Sequence, residues 1–330
     1  MPDQLFQYSQ PELERVRAIV GQDYDPLTPD PRLDSNFHQF GNVPNPFEAR
    51  RIINELGILD FADAAPHLMT AIDPNADILL YKAWKDVLGD YPKYPAQAIG
   101  DCVSMGYGHG TDLTQAIQTA ISGESWKYTE VDTEALYGMG REAGNMLGGG
   151  DGCYGAAMAK AITTMGTVSR ESVGPYSGQR AKQFGRSGAP AAIKTAARDH
   201  MMGATAIVNT LAELDAALIN GYVAPVCSNQ GYGMTRDSDG FCYPRGSWSH
   251  CMLICAKRVT GKVGYLIAQS WGPTTPSGPL ALDQPPFTFW VEPQPIAHML
   301  AARDTFALSK FKGWPGVGPL PSSWTYDIAA

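Results

Sequence analysis

The sequence predicts an α+β protein in which helices come first and strands last. Apolar residues recur at helical spacing up to about residue 220, and short apolar runs bounded by turn residues follow. No internal repeat is visible, so a solenoid is not expected.

Residues 11–20 read as a short amphipathic helix. Residues 24–46, rich in Pro, Asp and Asn, read as an extended arm. Ile52, Ile53, Leu56 and Leu59 predict a helix over 47–59, and Leu79, Leu80, Ala83, Trp84 and Val87 another over 77–88. Pro92 and Pro95 force an extended approach to Gln97. A helix is expected from Cys102 to about Ile121, its later half carrying Leu113, Ile117 and Ile121, although Gly106, Gly108 and Gly110 weaken the propensity. Helices over 133–146 and 154–165 follow. Thr210 and Glu213 form a capping pair for a helix over 211–219. Strands are expected at 222–226, 250–256, 263–269 and 287–291, with a Gly/Asp/Ser loop at 231–246 and a turn at Thr260–Gly261.

Composition narrows the function. Of 330 residues, 44% are hydrophobic and 18% charged, so a packed core is expected rather than disorder. The net charge is −8 and no Lys/Arg run occurs, so neither nucleic acid nor an anionic membrane is expected as a partner. No stretch of ~18 apolar residues is present. The start, Met1 to Phe6, has no basic segment before an apolar run, so no secretory signal is expected. Six cysteines at this length, without a signal, favour free thiols in a reducing compartment.

Three segments carry the chemistry. Cys102 heads a predicted helix after Gln97-Ala-Ile-Gly-Asp101. His250 stands in Ser249-His250-Cys251, 148 residues downstream, and Gln269-Ser270-Trp271-Gly272 follows. A thiol is a useful nucleophile only as thiolate, which a helix N-terminus and a neighbouring imidazolium both favour. His109 is too far along the same helix from Cys102, at ~10 Å of rise, to serve. Cys242, His250, Cys251 and Cys255 lack zinc-site spacing, with Cys251 and Cys255 ~13 Å apart on a strand, so no metal is expected. Gly138 to Gly144 is not a dinucleotide fingerprint, and no cofactor is expected.

The order cysteine, histidine, amide followed by Ser-Trp-Gly resembles the papain-like cysteine peptidases. The resemblance covers about Ala96 to Val291. It implies a helical lobe (about 96–220) facing a twisted antiparallel sheet lobe (about 221–291), with a cleft between, an N-terminal extension over 1–95 and a C-terminal extension over 292–330. It implies Cys102 as nucleophile, His250 as its base and Gln269 as the residue orienting the imidazole, although the family has asparagine there. It implies Trp271 as the shield over that bond. Gln97 becomes the oxyanion donor, five residues before the cysteine rather than the family's six. Gly149 and Gly150 become the backbone that binds a peptide substrate. Ile99 replaces a cysteine that many relatives bond to a downstream partner, leaving Cys153 a free thiol. Asp101 is expected to face solvent. The tail from Phe289 to Pro315 is similar to divergent papain-like proteins encoded by tailed phages. That implies a second reading: an assembly subunit in a virion, contacting neighbours through 1–95 and the tail, instead of a cytoplasmic peptidase.

Overall fold

The computed structural model of the chain describes residues 40–70, 76–122, 129–316 and 318–325. The helix expected at 11–20 and the arm up to residue 39 lie outside them. The sheet lobe is a four-stranded antiparallel sheet in the order β2 (Ala224–Tyr232), β3 (Pro244–Arg258), β4 (Gly264–Ala268) and β5 (Thr288–Val291). A separate two-stranded ladder pairs β1 (Ala204–Ile207) with β6 (Phe306–Ser309). The helical lobe contains helices Cys102–Ser122, Thr133–Ala143, Gly155–Thr164, Gly178–Ser187 and Ala191–Ala197. This is the α+β, two-lobed architecture expected.

The Cys102–Ser122 helix runs through the middle, buried along most of its length. Its glycines explain how. A Cβ on Gly106 would stand 2.8 Å from the Cys251 sulfur, so only hydrogen lets the helix lie this close to β3. The close packing outweighs the helix propensity those glycines forgo. One apolar cluster joins Leu113 and Ile117 of this helix to the sheet. A second joins Val103 and Tyr107 to the Thr133–Ala143 and Gly155–Thr164 helices.

Thr210 and Glu213 form the expected reciprocal capping box on the Leu211–Ile219 helix. The helix expected at 77–88 is confined to Lys82–Leu88. Ile78 is instead extended, exchanging backbone hydrogen bonds with Lys257 on β3. Sheet pairing overrides local periodicity there.

Residues before 96 and after 291 enter the core. Phe61, Leu79, Leu80, Tyr81 and Trp84 are fully buried in the sheet-side cluster. Trp314 packs edge-on against Phe61 and Tyr222, and the Trp324 carbonyl accepts from Leu79 N–H at 2.8 Å.

Candidate active site

Cys102 is the first residue of its helix and is 0% exposed. The preceding turn is set by Asp101, whose carbonyl accepts from Ser104 Oγ and Met105 N. The backbone N–H groups of Cys251 and Gly41 point at the Cys102 sulfur. The thiol therefore sits beside the strand segment that carries His250, so helix start and strand meet between the lobes. Burial still dominates, pushing the Cys102 thiol well above its ordinary range.

The Asp101 carboxyl does not face solvent, contrary to the sequence expectation. It is fully buried and accepts from the Tyr176 hydroxyl at 2.9 Å, while that hydroxyl accepts from Ala98 N. Tyr176 thus ties the turn before Cys102 to the helical lobe and draws the carboxyl inward. Burial pushes this carboxyl up to about 8, so it is neutral at pH 7 and places no anion beside the thiol.

His250 is also fully buried. Its ring stacks on Trp271, centroids 4.4 Å apart at 22°, and Trp248 lies 6.1 Å away. Trp248 and His250 share one face of β3, while Cys251 points the other way, toward Gly106. Cys251 faces Cys227 directly across the β2–β3 ladder.

The Gln269 side chain is turned into its own loop. Its oxygen accepts from Trp271 N, and its amide nitrogen donates to the carbonyls of Gly272 and Thr275. The Trp271 stack bears on the plane of the His250 ring. Glutamine's extra methylene carries the amide to the 271–275 backbone. Gln97 is held by Ser270, whose hydroxyl donates to the Gln97 oxygen, and its Nε2 donates to the Ile99 carbonyl at 2.9 Å. Gln97 and the Ser270 loop are thereby pinned together across the lobes.

Gly149 and Gly150 stand in an exposed loop with nothing near their Cα hydrogens. The backbone that pairs with an extended segment belongs to Cys153. Its N–H donates to Gly41 O and its carbonyl accepts from Val43 N, both at 2.8 Å. On the sheet side, Asn42 N donates to Ser249 O at 3.2 Å. Residues Phe40–Val43 thus form a strap across both lobes beside the sulfur. Two glycines make this possible: a Cβ on Gly41 would lie 2.0 Å from the Gly100 carbonyl oxygen. Phe40 packs 5.9 Å from Trp248, and edge-on at 5.9 Å to Trp271 and 6.3 Å to His250.

His109 lies elsewhere, stacked on Tyr94 at 3.7 Å, and burial lowers its pKa to about 3. All six cysteines are free thiols. Among the described residues no three His, Cys, Asp or Glu side chains converge as metal ligands, and no helix is long and apolar enough to cross a membrane.

Sequence reasoning missed Phe40, Trp248 and Tyr176. Only Trp248 left a signal, standing two residues before His250 and so on the same strand face.

No family model and no curated protein matches the chain. Solved structures do. Xylellain, a cysteine protease from Xylella fastidiosa, superposes with a TM-score of 0.57 at 14% identity, over 83% of this chain and 97% of that one. Procathepsin B S9 from Trypanosoma congolense superposes at 0.50 and 11% identity, over 92% and 98%. The fold is the papain-like one.

Proposed function

We propose that the chain is a latent thiol peptidase that cleaves peptide bonds through Cys102 and His250. The observation that carries this reading is the strap. An extended peptide already lies beside the Cys102 sulfur, held by backbone hydrogen bonds to Ser249 on one lobe and Cys153 on the other. Backbone pairing of this kind holds a peptide largely independently of its side chains.

In the proposed reaction His250 takes the Cys102 proton, and the thiolate attacks the scissile carbonyl carbon. The oxyanion that forms is met by the Cys102 backbone N–H at the helix start and by the Gln97 amide. Collapse expels the amine, which takes its proton from His250, and leaves an acyl-enzyme thioester. Water, deprotonated by His250, then releases the acid and regenerates the thiol. Trp271 holds the imidazole plane through the stack, the positioning task that the sequence assigns to Gln269.

The test uses the full chain carrying Gly41→Leu, whose side chain has no room against Gly100. Hydrolysis of a mixture of fluorogenic peptides is expected, and adding Cys102→Ala removes at least about 10³-fold of it. A folded Gly41→Leu chain whose hydrolysis is nil, or survives Cys102→Ala, defeats the reading. Nil hydrolysis leaves the assembly role as the better account.

A further inference from the structure

We propose that Cys251 and Cys227 are a resolving thiol pair, which returns a peroxide-oxidised Cys102 to its thiol and closes a disulfide between its own two sulfurs. This rests on the reading of Cys102 as the reactive thiol, and adds a second substrate class for it, a small hydroperoxide. It does not depend on peptide hydrolysis.

The three sulfurs share one buried cluster. Cys251 N–H points at the Cys102 sulfur. The Cys251 sulfur lies against Gly106, four residues past Cys102 and so on the same face of the helix, one turn on. Cys251 and Cys227 stand directly opposite on β3 and β2. Cys227 N–H is spent on the Asp304 carbonyl at 3.1 Å and Cys251 N–H on the Cys102 sulfur, so neither amide bonds across the ladder. They are thus a non-hydrogen-bonded pair. Such a pair has its side chains on one face and Cα atoms ~4.5 Å apart, inside the ~4.4–6.8 Å that a disulfide spans. The Cys227 thiol is hydrogen-bonded to Cys251. Cys153 and Cys255 turn their thiols elsewhere, to the carbonyls of Tyr154 at 3.8 Å and Leu266 at 3.7 Å.

Asp304 completes the row. Its carboxyl accepts from the Cys227 thiol, and from Gly155 N at 2.9 Å and Ala156 N at 3.0 Å. Burial raises this carboxyl to about 6, which leaves it ionised at pH 7 and able to take the Cys227 proton.

Thiols buried as deeply as Cys227 and Cys251 are poor targets for an external oxidant. Oxidation enters at Cys102, the sulfur beside the strap. Its thiolate attacks one peroxide oxygen. An S–O bond forms, the O–O bond breaks, and the departing hydroxide takes the His250 proton to become water. The Cys251 sulfur then attacks the Cys102 sulfur. An S–S bond forms, the S–O bond breaks, and hydroxide leaves with the Cys251 proton as a second water. Cys227 passes its proton to Asp304 and attacks the Cys251 sulfur. The Cys227–Cys251 bond forms, and the Cys102 sulfur leaves as thiolate. Two thiols and one hydrogen peroxide have become a disulfide and two waters.

The experiment treats the full chain, as it stands and with Gly41→Leu, with one equivalent of hydrogen peroxide. The chain is then unfolded, its remaining thiols are alkylated with iodoacetamide, and its peptides are mapped by mass. A Cys227–Cys251 disulfide is expected, with Cys102 recovered as alkylated thiol. Cys227→Ala should stop at a Cys102–Cys251 disulfide. Cys251→Ala should leave Cys102 to go on to sulfinic acid in excess peroxide. Cys102→Ser should slow the Cys227–Cys251 disulfide at least about tenfold, because the buried pair then meets peroxide only directly. Cys227 and Cys251 recovered as thiols overturn the inference, whichever residue consumed the peroxide. So does a disulfide that forms as fast with Cys102→Ser as without it. If no variant folds, the map of the parent chain decides. Peptide hydrolysis without the disulfide sinks this inference alone, and the disulfide without peptide hydrolysis sinks the peptidase reading alone.

Discussion

Replacing Asp101 by asparagine removes the titratable carboxyl beside the candidate nucleophile. Asp101 is fully buried, and its carboxyl titrates near 8 in the folded chain against 3.8 for an exposed one. Between these values the folded protein holds a proton that the unfolded chain has released. The unfolded state then binds fewer protons, so stability falls as pH rises. The contribution is complete below about pH 4 and is lost as pH climbs through about 8. Its full slope is about 1.4 kcal/mol per pH unit, so from pH 5 to pH 7 the parent loses about 3 kcal/mol that the asparagine variant keeps. Urea unfolding followed by tryptophan fluorescence at the two pH values measures the difference. Stability profiles for parent and Asp101→Asn that stay parallel within about 0.5 kcal/mol refute a buried, neutral carboxyl at this position.

Other perturbations separate positioning from packing. Trp271→Ala removes the His250 stack and a nearly buried indole, costing about 3–5 kcal/mol of stability. In a Gly41→Leu background it is expected to lower turnover about 10²-fold and shift the pH profile of Cys102 alkylation, whereas Trp271→Phe restores that profile. Gln269→Ala breaks three loop hydrogen bonds and costs about 2–3 kcal/mol by urea unfolding, yet leaves the alkylation profile unmoved. A profile that follows Gln269 and ignores Trp271 reverses the assignment. Gly106→Ala drives a methyl group toward the Cys251 sulfur and is expected to cost about 1–3 kcal/mol, most of it recovered by adding Cys251→Ala. Additive losses in that double variant contradict the contact.

Much of the fold was legible because its signals are local. The Thr210–Glu213 box marks a helix start within four residues, and the apolar runs at 250–256 and 263–269 mark two strands that pair. The β1–β6 ladder left no such mark. Each strand has four residues, and the two are about 100 residues apart in sequence. The Gly178–Ser187 helix hides its period because only Ala181, Phe184 and Gly185 of its ten residues are buried. At the site, residue types were readable but orientations were not. The sequence places an amide at Gln269, while the Gly272 and Thr275 carbonyls that turn it aside depend on the loop's path. The pairing of Cys153 with Gly41 and Val43 left no mark in the sequence because backbone groups make it, and backbone groups carry no residue signature. The buried Asp101 shows the same limit: nothing local predicts that Tyr176, 75 residues on, supplies a donor.

Thiol and imidazole acting as one unit is tested most directly by the pH dependence of Cys102 alkylation in the Gly41→Leu chain, with His250 intact and with His250→Gln. With the imidazole present, reactive thiolate should persist well below the ordinary cysteine value of ~8.5, and with glutamine it should vanish below that value. Superimposable curves from the two chains would contradict the pairing and the peptidase reading with it.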